Sequence, residues 1–324
     1  MSDQAAFSEI SPSEFKVLYE SGFSINEIVS KIHRSYSFVR NHLLKNGTLL
    51  RTKADGTRLY LERHPEWKEQ FIKYRISNPN ELTEDKIRLL AMLITEGYMT
   101  ERDFGFTNTQ TILKNQFKAL VKANYGKVNV YERGNLVRIS SKNIAKNLQS
   151  DCPNKAFSTR AFRRLIGSHE LTRSVLRIFA DTEGAIILSP KKARRNYTLG
   201  TAIVLASRNV LLSKQMKSLF SKLDIRARMS PNGLAIVDKN SIRRFAALIG
   251  FSSGLKVIRK KAGHAVWYGH DKATLTKVAL HVQDEQDKAR RLGFRGCFAN
   301  CQTKQDVLNK LKSSYNQIQG GDKI

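Results

Sequence analysis

Leu176-Arg177-Ile178-Phe179-Ala180-Asp181-Thr182-Glu183-Gly184 and Leu89-Leu90-Ala91-Met92-Leu93-Ile94-Thr95-Glu96-Gly97 share one pattern, an apolar helix that stops at Thr-Glu-Gly. Words this short recur by chance, but the segments downstream of the two copies match as well. The stretch Leu113 to Leu120 aligns with Leu212 to Leu219, and each runs into a β-hairpin. The first hairpin spans Val128 to Ile139 and turns at Arg133-Gly134-Asn135; the second spans Arg226 to Val237 and turns at Pro231-Asn232-Gly233. Ser141-Lys142-Asn143-Ile144 then matches Asp238-Lys239-Asn240-Ser241-Ile242 ahead of a short helix. Each half therefore reads helix, two strands, helix, two strands, helix. The expected fold is α+β, two pseudo-symmetric αββαββα repeats over 82–155 and 156–262. The halves differ in one place: the strand pair after Gly184 carries Lys191, Lys192, Arg194 and Arg195 in its loop, whereas the pair after Gly97 is short. A basic loop of this kind can lie over a phosphate backbone.

Ahead of the repeats, residues 1–55 read as a small all-α helix-turn-helix domain. Phe15, Val17, Leu18 and Tyr19 form a first helix broken at Gly22, and Ser24-Ile25-Asn26-Glu27 is a capping box that opens a second. After a tight turn at His33-Arg34, Ser35 caps a third helix that carries Phe38, Val39, Leu43 and Leu44 inward and stops at Gly47. Its outward positions, Ser37, Arg40, Asn41 and Lys45, can reach base edges and phosphates in a major groove. Residues 56–81 read as a connector with one helix, passing His64-Pro65-Glu66-Trp67 and an amphipathic stretch through Tyr74 to a loop at Ser77-Asn78-Pro79-Asn80. Behind the repeats, residues 263–324 form a helical extension around Leu275, Val278, Ala279, Val282, Val307, Leu308 and Leu311.

The 56 Lys+Arg against 28 Asp+Glu in 324 residues give a net charge of +28, and the excess is spread along the whole chain. That excludes a basic tail on a neutral enzyme and points to a polyanion such as DNA or RNA. At 41% hydrophobic residues the chain can fill real cores, which excludes general disorder. No apolar run approaches the roughly 18–20 residues of a membrane span, and the first residues lack the basic and apolar regions of a leader. The expected location is the cytoplasm, on the nucleoid if the source is prokaryotic, with no membrane partner. The 3 cysteines are an odd count; Cys297 and Cys301 are four apart on a stretch that reads as helix, and free thiols are expected. No His-Glu-x-x-His site and no glycine-rich phosphate loop is present.

Two helices ending in Asp/Glu-Gly, each opening an αββαββα unit in one chain, resemble the LAGLIDADG homing endonuclease family in its single-chain form. The resemblance covers residues 82 to 262. It implies a monomer acting as a pseudo-dimer, with the motif helices packed at the pseudo-dyad and Glu96 and Glu183 holding Mg²⁺ or Mn²⁺ over duplex DNA. It further implies metal-dependent hydrolysis of phosphodiester bonds, with Lys155 and Lys256 beside the cleavage centre. An acid at a helix C-terminus opposes the macrodipole, so a Glu placed there twice is locally costly unless a cation offsets it. The copies depart from the family's nine-letter pattern at Ile94, where the family has Asp, and at its usual Gly position, which holds Ala91 in one copy and Ile178 in the other; Ile178 is expected to push the helices apart. The same fold and charge also accommodate a non-cleaving DNA-binding transcriptional regulator or an RNA-splicing maturase.

Overall fold

Short polar side chains start most of the helices and set the order of elements. The structure, a computed structural model, describes residues 11–64, 81–193, 196–258, 266–292 and 296–321. These fall into two compact units, Met1–Arg75 and Ile76–Ile324.

In the first unit, α1 (Pro12–Glu20), α2 (Ile25–Ile32) and α3 (Tyr36–Lys45) surround a core of Phe15, Tyr19, Ile25, Ile28, Val39 and Leu43. The Ser24–Glu27 capping box forms as expected, with Ser24 N–H donating to Glu27 Oε2 at 2.6 Å and Glu27 N–H to Ser24 Oγ at 3.2 Å. His33, in the left-handed region at φ 52°, makes the tight turn. Ser35 Oγ accepts from Phe38 N–H at 3.2 Å to start α3. Gly47, at φ 69°, ends it, and Thr48 N–H returns to Leu43 O at 2.9 Å. Two apolar side chains expected inside are not: Phe38 is 46% and Leu44 45% exposed. A ten-residue helix packed on two short neighbours buries only the narrow stripe at Val39 and Leu43. Phe38 lies at its edge against the Phe15 ring, and Leu44 stands one turn beyond Arg40 and Asn41. A fourth helix, α4 (Lys53–Arg63), belongs to this unit: the Arg63 guanidinium lies 3.7 Å from the Phe23 ring centre and 3.6 Å from Glu27. The rest of the expected connector, from His64-Pro65 through Tyr74 to Asn80, lies almost wholly outside the described residues.

The second unit repeats one plan. The first half runs α5 (Glu84–Thr95), β1 (Gly97–Met99), β2 (Asp103–Thr107), α6 (Thr111–Tyr125), β3 (Val130–Arg133), β4 (Leu136–Ser140) and α7 (Lys142–Asp151). After a helix outside the repeat, α8 (Thr159–Gly167), the second half runs α9 (His169–Glu183), β5 (Gly184–Ala193), β6 (Asn196–Ala206), α10 (Val210–Lys222), β7 (Arg228–Ser230), β8 (Gly233–Ile236) and α11 (Lys239–Leu248). Both sheets are antiparallel with the same order, β1-β2-β4-β3 and β5-β6-β8-β7. The equivalence reaches single bonds. Asn108 N–H donates to Asn135 O at 2.9 Å in one half, and Ser207 N–H to Asn232 O at 2.9 Å in the other. The extension forms α12 (Lys272–Arg291) and α13 (Lys304–Gly320), both against β5. Cys297 and Cys301 sit in the turns between these helices rather than on a helix, and all three thiols are free.

The motif helices α5 and α9 make the most extensive helix–helix contact of the unit. Leu89 through Leu93 are fully buried on α5, and Ile178 is 2% exposed on α9. Arg88 Nε donates to Ser174 Oγ at 2.8 Å across the pair. Lys86 is buried as well, its ammonium 2.7 Å from Asp151 and 2.6 Å from Asn147 Oδ1, which ties α5 to α7.

The motif glycines serve a purpose other than a left-handed cap. Gly184 has φ −83°, which any residue adopts, but a Cβ there would stand 2.2 Å from Ala180 O. At Gly97 a Cβ would stand 2.4 Å from Leu93 Cα. The chain leaves each helix straight into a strand, and the exit has no room for a side chain. Gly184→Ala is expected to destabilise the protein by about 1–3 kcal/mol through this backbone overlap. Gly167→Ala, where a Cβ would meet nothing within 4 Å, should be neutral or stabilising. Urea unfolding of both variants checks the contrast.

Candidate functional site

Glu96 caps the C-terminus of α5 and Glu183 is the last residue of α9, both half-buried. The helix pair thus brings two carboxylates to one end of the unit, each on the main chain that enters a sheet. Asn108, 5% exposed just after β2, donates its Nδ2 to Glu96 Oε2. Asn108 Oδ1 accepts Gln110 N–H at 2.7 Å, and Thr107 N–H donates to Glu96 O at 3.1 Å. Glu96 is therefore aimed by the loop between β2 and α6.

Glu183 lines a cleft of about 650 Å³ together with Thr95, Asn154, Lys155, Arg208 and Asn209. The cleft joins both halves, since Thr95 and Lys155 come from the first and Glu183 and Arg208 from the second. Lys155 is exposed, and its ammonium donates to Gly97 O at 3.2 Å, one residue past Glu96. Lys256, also exposed, does not line this cleft; its backbone N–H donates to Gln110 Oε1 at 2.8 Å, on the Glu96 side. Of the four residues at the cleavage centre expected from sequence, Glu183 and Lys155 share the cleft, while Glu96 and Lys256 meet through Asn108 and Gln110.

Asp181 takes no part in the cleft. It is 1% exposed, accepts from Ser252 N–H at 2.9 Å and Ser252 Oγ at 2.6 Å, and burial raises its carboxyl above the usual range. The first copy has Ile94 at this position, buried at 3%. The departure from the nine-letter pattern thus falls on an interior position and leaves the acid at the helix end untouched.

Among the described residues no three His, Cys, Asp or Glu side chains cluster as a preformed metal cage. The donor set still suits a hard divalent ion: Mg²⁺ is commonly held by one or two carboxylates completed by water and substrate phosphates. Two carboxylates at equivalent helix ends match that requirement.

Lys191 and Lys192 lie within the paired part of β5, opposite Thr198 and Tyr197, rather than in a loop. Both are exposed, and the Lys191 stem crosses Gly200 on the sheet face that also carries Ile187 and Ser189. Arg194 and Arg195 lie outside the described residues. On α3, Ser37, Arg40, Asn41 and Lys45 are all exposed, joined by Leu44. Asn108, Gln110, Arg208 and Asn209 were not singled out from sequence. Their positions after β2 and β6 carry no periodic signal, although the repeat places both loops in register.

Residues 10–58 match a family model described as a helix-turn-helix domain. No curated protein matches the chain. Among solved structures the chain is similar to the meganuclease I-SmaMI bound to uncleavable DNA, at 12% identity over 73% of this chain and 99% of that one, TM-score 0.42. It is also similar to I-DmoI in complex with its target DNA, at 10% identity over 51% and 95%, TM-score 0.35. A third is the N-terminal LAGLIDADG domain of DUF199/WhiA, at 16% identity over 60% and 92%, TM-score 0.34. No helix among the described residues is long and apolar enough to cross a membrane.

The Asn108–Glu96 contact has a pH signature. Asn108→Asp sets a second carboxylate against Glu96 and raises the pair's upper pKa. Stability is then present while the pair holds a proton and is lost as pH rises past that value. The variant's melting temperature should fall well below wild type at pH 7 and approach it near pH 4; an equal deficit at both would mean the two groups do not interact.

Proposed function

We propose that the chain is a site-specific DNA-binding protein that makes a metal-dependent double-strand break, one strand served by each half. The observation that carries this reading is the pair of carboxylates at equivalent ends of two packed helices, Glu96 and Glu183, beside a cleft built from both halves. In it, Glu96 and Glu183 would hold Mg²⁺ or Mn²⁺, which would supply charge neutralisation for a phosphodiester and an activated water. Lys155 and Lys256 supply fixed positive charge that orients the phosphodiester and offsets the charge developing on its oxygens. Asn108 holds Glu96 in the direction of the site. The two sheets offer duplex DNA two related faces, with Lys191 and Lys192 of β5 available to its phosphate backbone. One chain supplies both halves, so a monomer suffices.

Within the first unit, Ser37, Arg40, Asn41, Leu44 and Lys45 form the reading face of α3. Leu44 adds an apolar contact of the kind that suits a thymine methyl. The match of residues 10–58 to a helix-turn-helix model favours one second reading, a non-cleaving regulator that keeps the two-sheet unit for binding.

Binding should weaken steeply with salt, because Lys and Arg that neutralise phosphates release counterions. Arg40→Ala with Asn41→Ala should cost about 1–3 kcal/mol per lost base contact without unfolding. Titrations on a library-selected site at several salt concentrations check both, and a flat salt dependence contradicts a polyanion partner. Glu96→Gln and Glu183→Gln change charge with almost no change in volume. Each should abolish or severely slow cleavage in Mg²⁺ or Mn²⁺ and preserve binding, as read on supercoiled plasmid. Cutting that survives both substitutions puts the active site elsewhere, and specific binding without cutting in any metal favours the regulator.

A further inference from the structure

Two polar side chains at equivalent places in the repeat cross from one half to the other, and each grips the backbone of the opposite half's lysine. Asn209 and Gln110 stand just before α10 and α6, two residues beyond Ser207 and Asn108 respectively. Asn209 Nδ2 donates to Asn154 O at 2.7 Å and to Lys155 O at 3.1 Å. Gln110 Oε1 accepts Lys256 N–H at 2.8 Å. The partners are 54–55 and 146 residues away in sequence. Each latch also runs back to its own loop: Asn209 N–H donates to Ser207 Oγ at 3.2 Å, and Gln110 N–H to Asn108 Oδ1 at 2.7 Å. On one side the result is a continuous chain from Glu96 through Asn108 and Gln110 to Lys256. On the other, Asn209 holds Lys155 at the cleft that Glu183 lines.

We infer that Gln110 and Asn209 are positioning residues, each of which holds the backbone of the opposite half's lysine beside the paired glutamates. The backbone at Lys155 shows why it needs holding: Asn154 and Lys155 are consecutive left-handed residues, both at φ 54°. Non-glycine residues rarely take that conformation singly and persist in it only where surrounding contacts enforce it. Asn209 grips the carbonyls of both. Ordinary contact between halves would stabilise the unit without favouring either lysine, whereas two separate latches make the two lysines independently adjustable. The functional consequence rests on the cleavage reading above: loss of one latch should impair one strand.

The test uses the full chain with Asn209→Ser, Gln110→Ala and Gln110→Glu. Asn209 Oδ1 also caps α10, accepting Leu212 N–H at 3.1 Å, and serine keeps that cap while removing the two long-range donors. Gln110 makes no cap hydrogen bond, so alanine removes the latch alone. Amide hydrogen exchange reads the latches directly. Gln110→Ala should speed exchange at Lys256 on the order of tenfold or more, and Gln110→Glu, which retains an acceptor, should restore protection. Asn209→Ser should speed exchange at Ala156, whose N–H closes the Asn154–Lys155 turn on Pro153 O at 3.1 Å. Amides of the motif helices should not change in either. In strand-resolved cleavage with Mg²⁺, each variant should slow one strand on the order of 10- to 100-fold, the two variants on opposite strands, with nicked product accumulating. Equal slowing of both strands, or unchanged exchange at Lys256 and Ala156, overturns the inference. If the wild type cuts neither strand the cleavage reading fails, and exchange still decides whether the latches hold the lysine segments.

Discussion

The packing of α5 on α9 sets the geometry of the larger unit, because each helix passes into the first strand of its sheet with no loop between. Where the helices cross decides where the sheets stand, and where the helices end decides where Glu96 and Glu183 stand. The glycines at 97 and 184 make the coupling rigid: with no Cβ, the strand leaves within touching distance of the helix's last turn. An acid at such a helix end is disfavoured by the macrodipole, and it occurs at the same place in both halves. Within the protein the acids are managed by neighbours, Asn108 for Glu96 and the polar cleft for Glu183.

Pseudo-symmetry constrains this arrangement less than it first suggests. Position 94/181 is buried in both copies but holds Ile94 in one and a hydrogen-bonded, desolvated Asp181 in the other. Asn108 and Ser207 make the same main-chain bond, yet Asn108 also sends a side-chain amide to its glutamate, a group that Ser207 does not possess. The β1–β2 pair is short and the β5–β6 pair long. The halves therefore agree in architecture and differ in polar detail, which is the pattern expected if each faces a different half of an asymmetric DNA site.

Much of the architecture was legible because it is written in local, repeated signals. Thr-Glu-Gly twice, the Ser24–Glu27 capping box and Gly134 at a hairpin turn each act within a few residues, and the element order of both halves follows from them. Side-chain direction in α3 was not legible: five apolar residues in ten leave the inward face open, and neighbours turned Phe38 and Leu44 outward. The Asn108, Gln110 and Asn209 contacts join residues brought together only by tertiary structure, so spacing could not announce them. The glutamates were visible as a repeated motif; the network that aims them was not.

If one helix pair presents two carboxylates to a single metal-assisted centre on duplex DNA, the metal itself can be located. Anomalous diffraction from a crystal of the full chain with its selected duplex and Mn²⁺ should show manganese peaks within coordination distance of Glu96 and Glu183. Those peaks should be shared with phosphate oxygens of DNA lying across both sheets. Manganese ordered away from both glutamates, or a duplex bound off the two-sheet face, would contradict that arrangement.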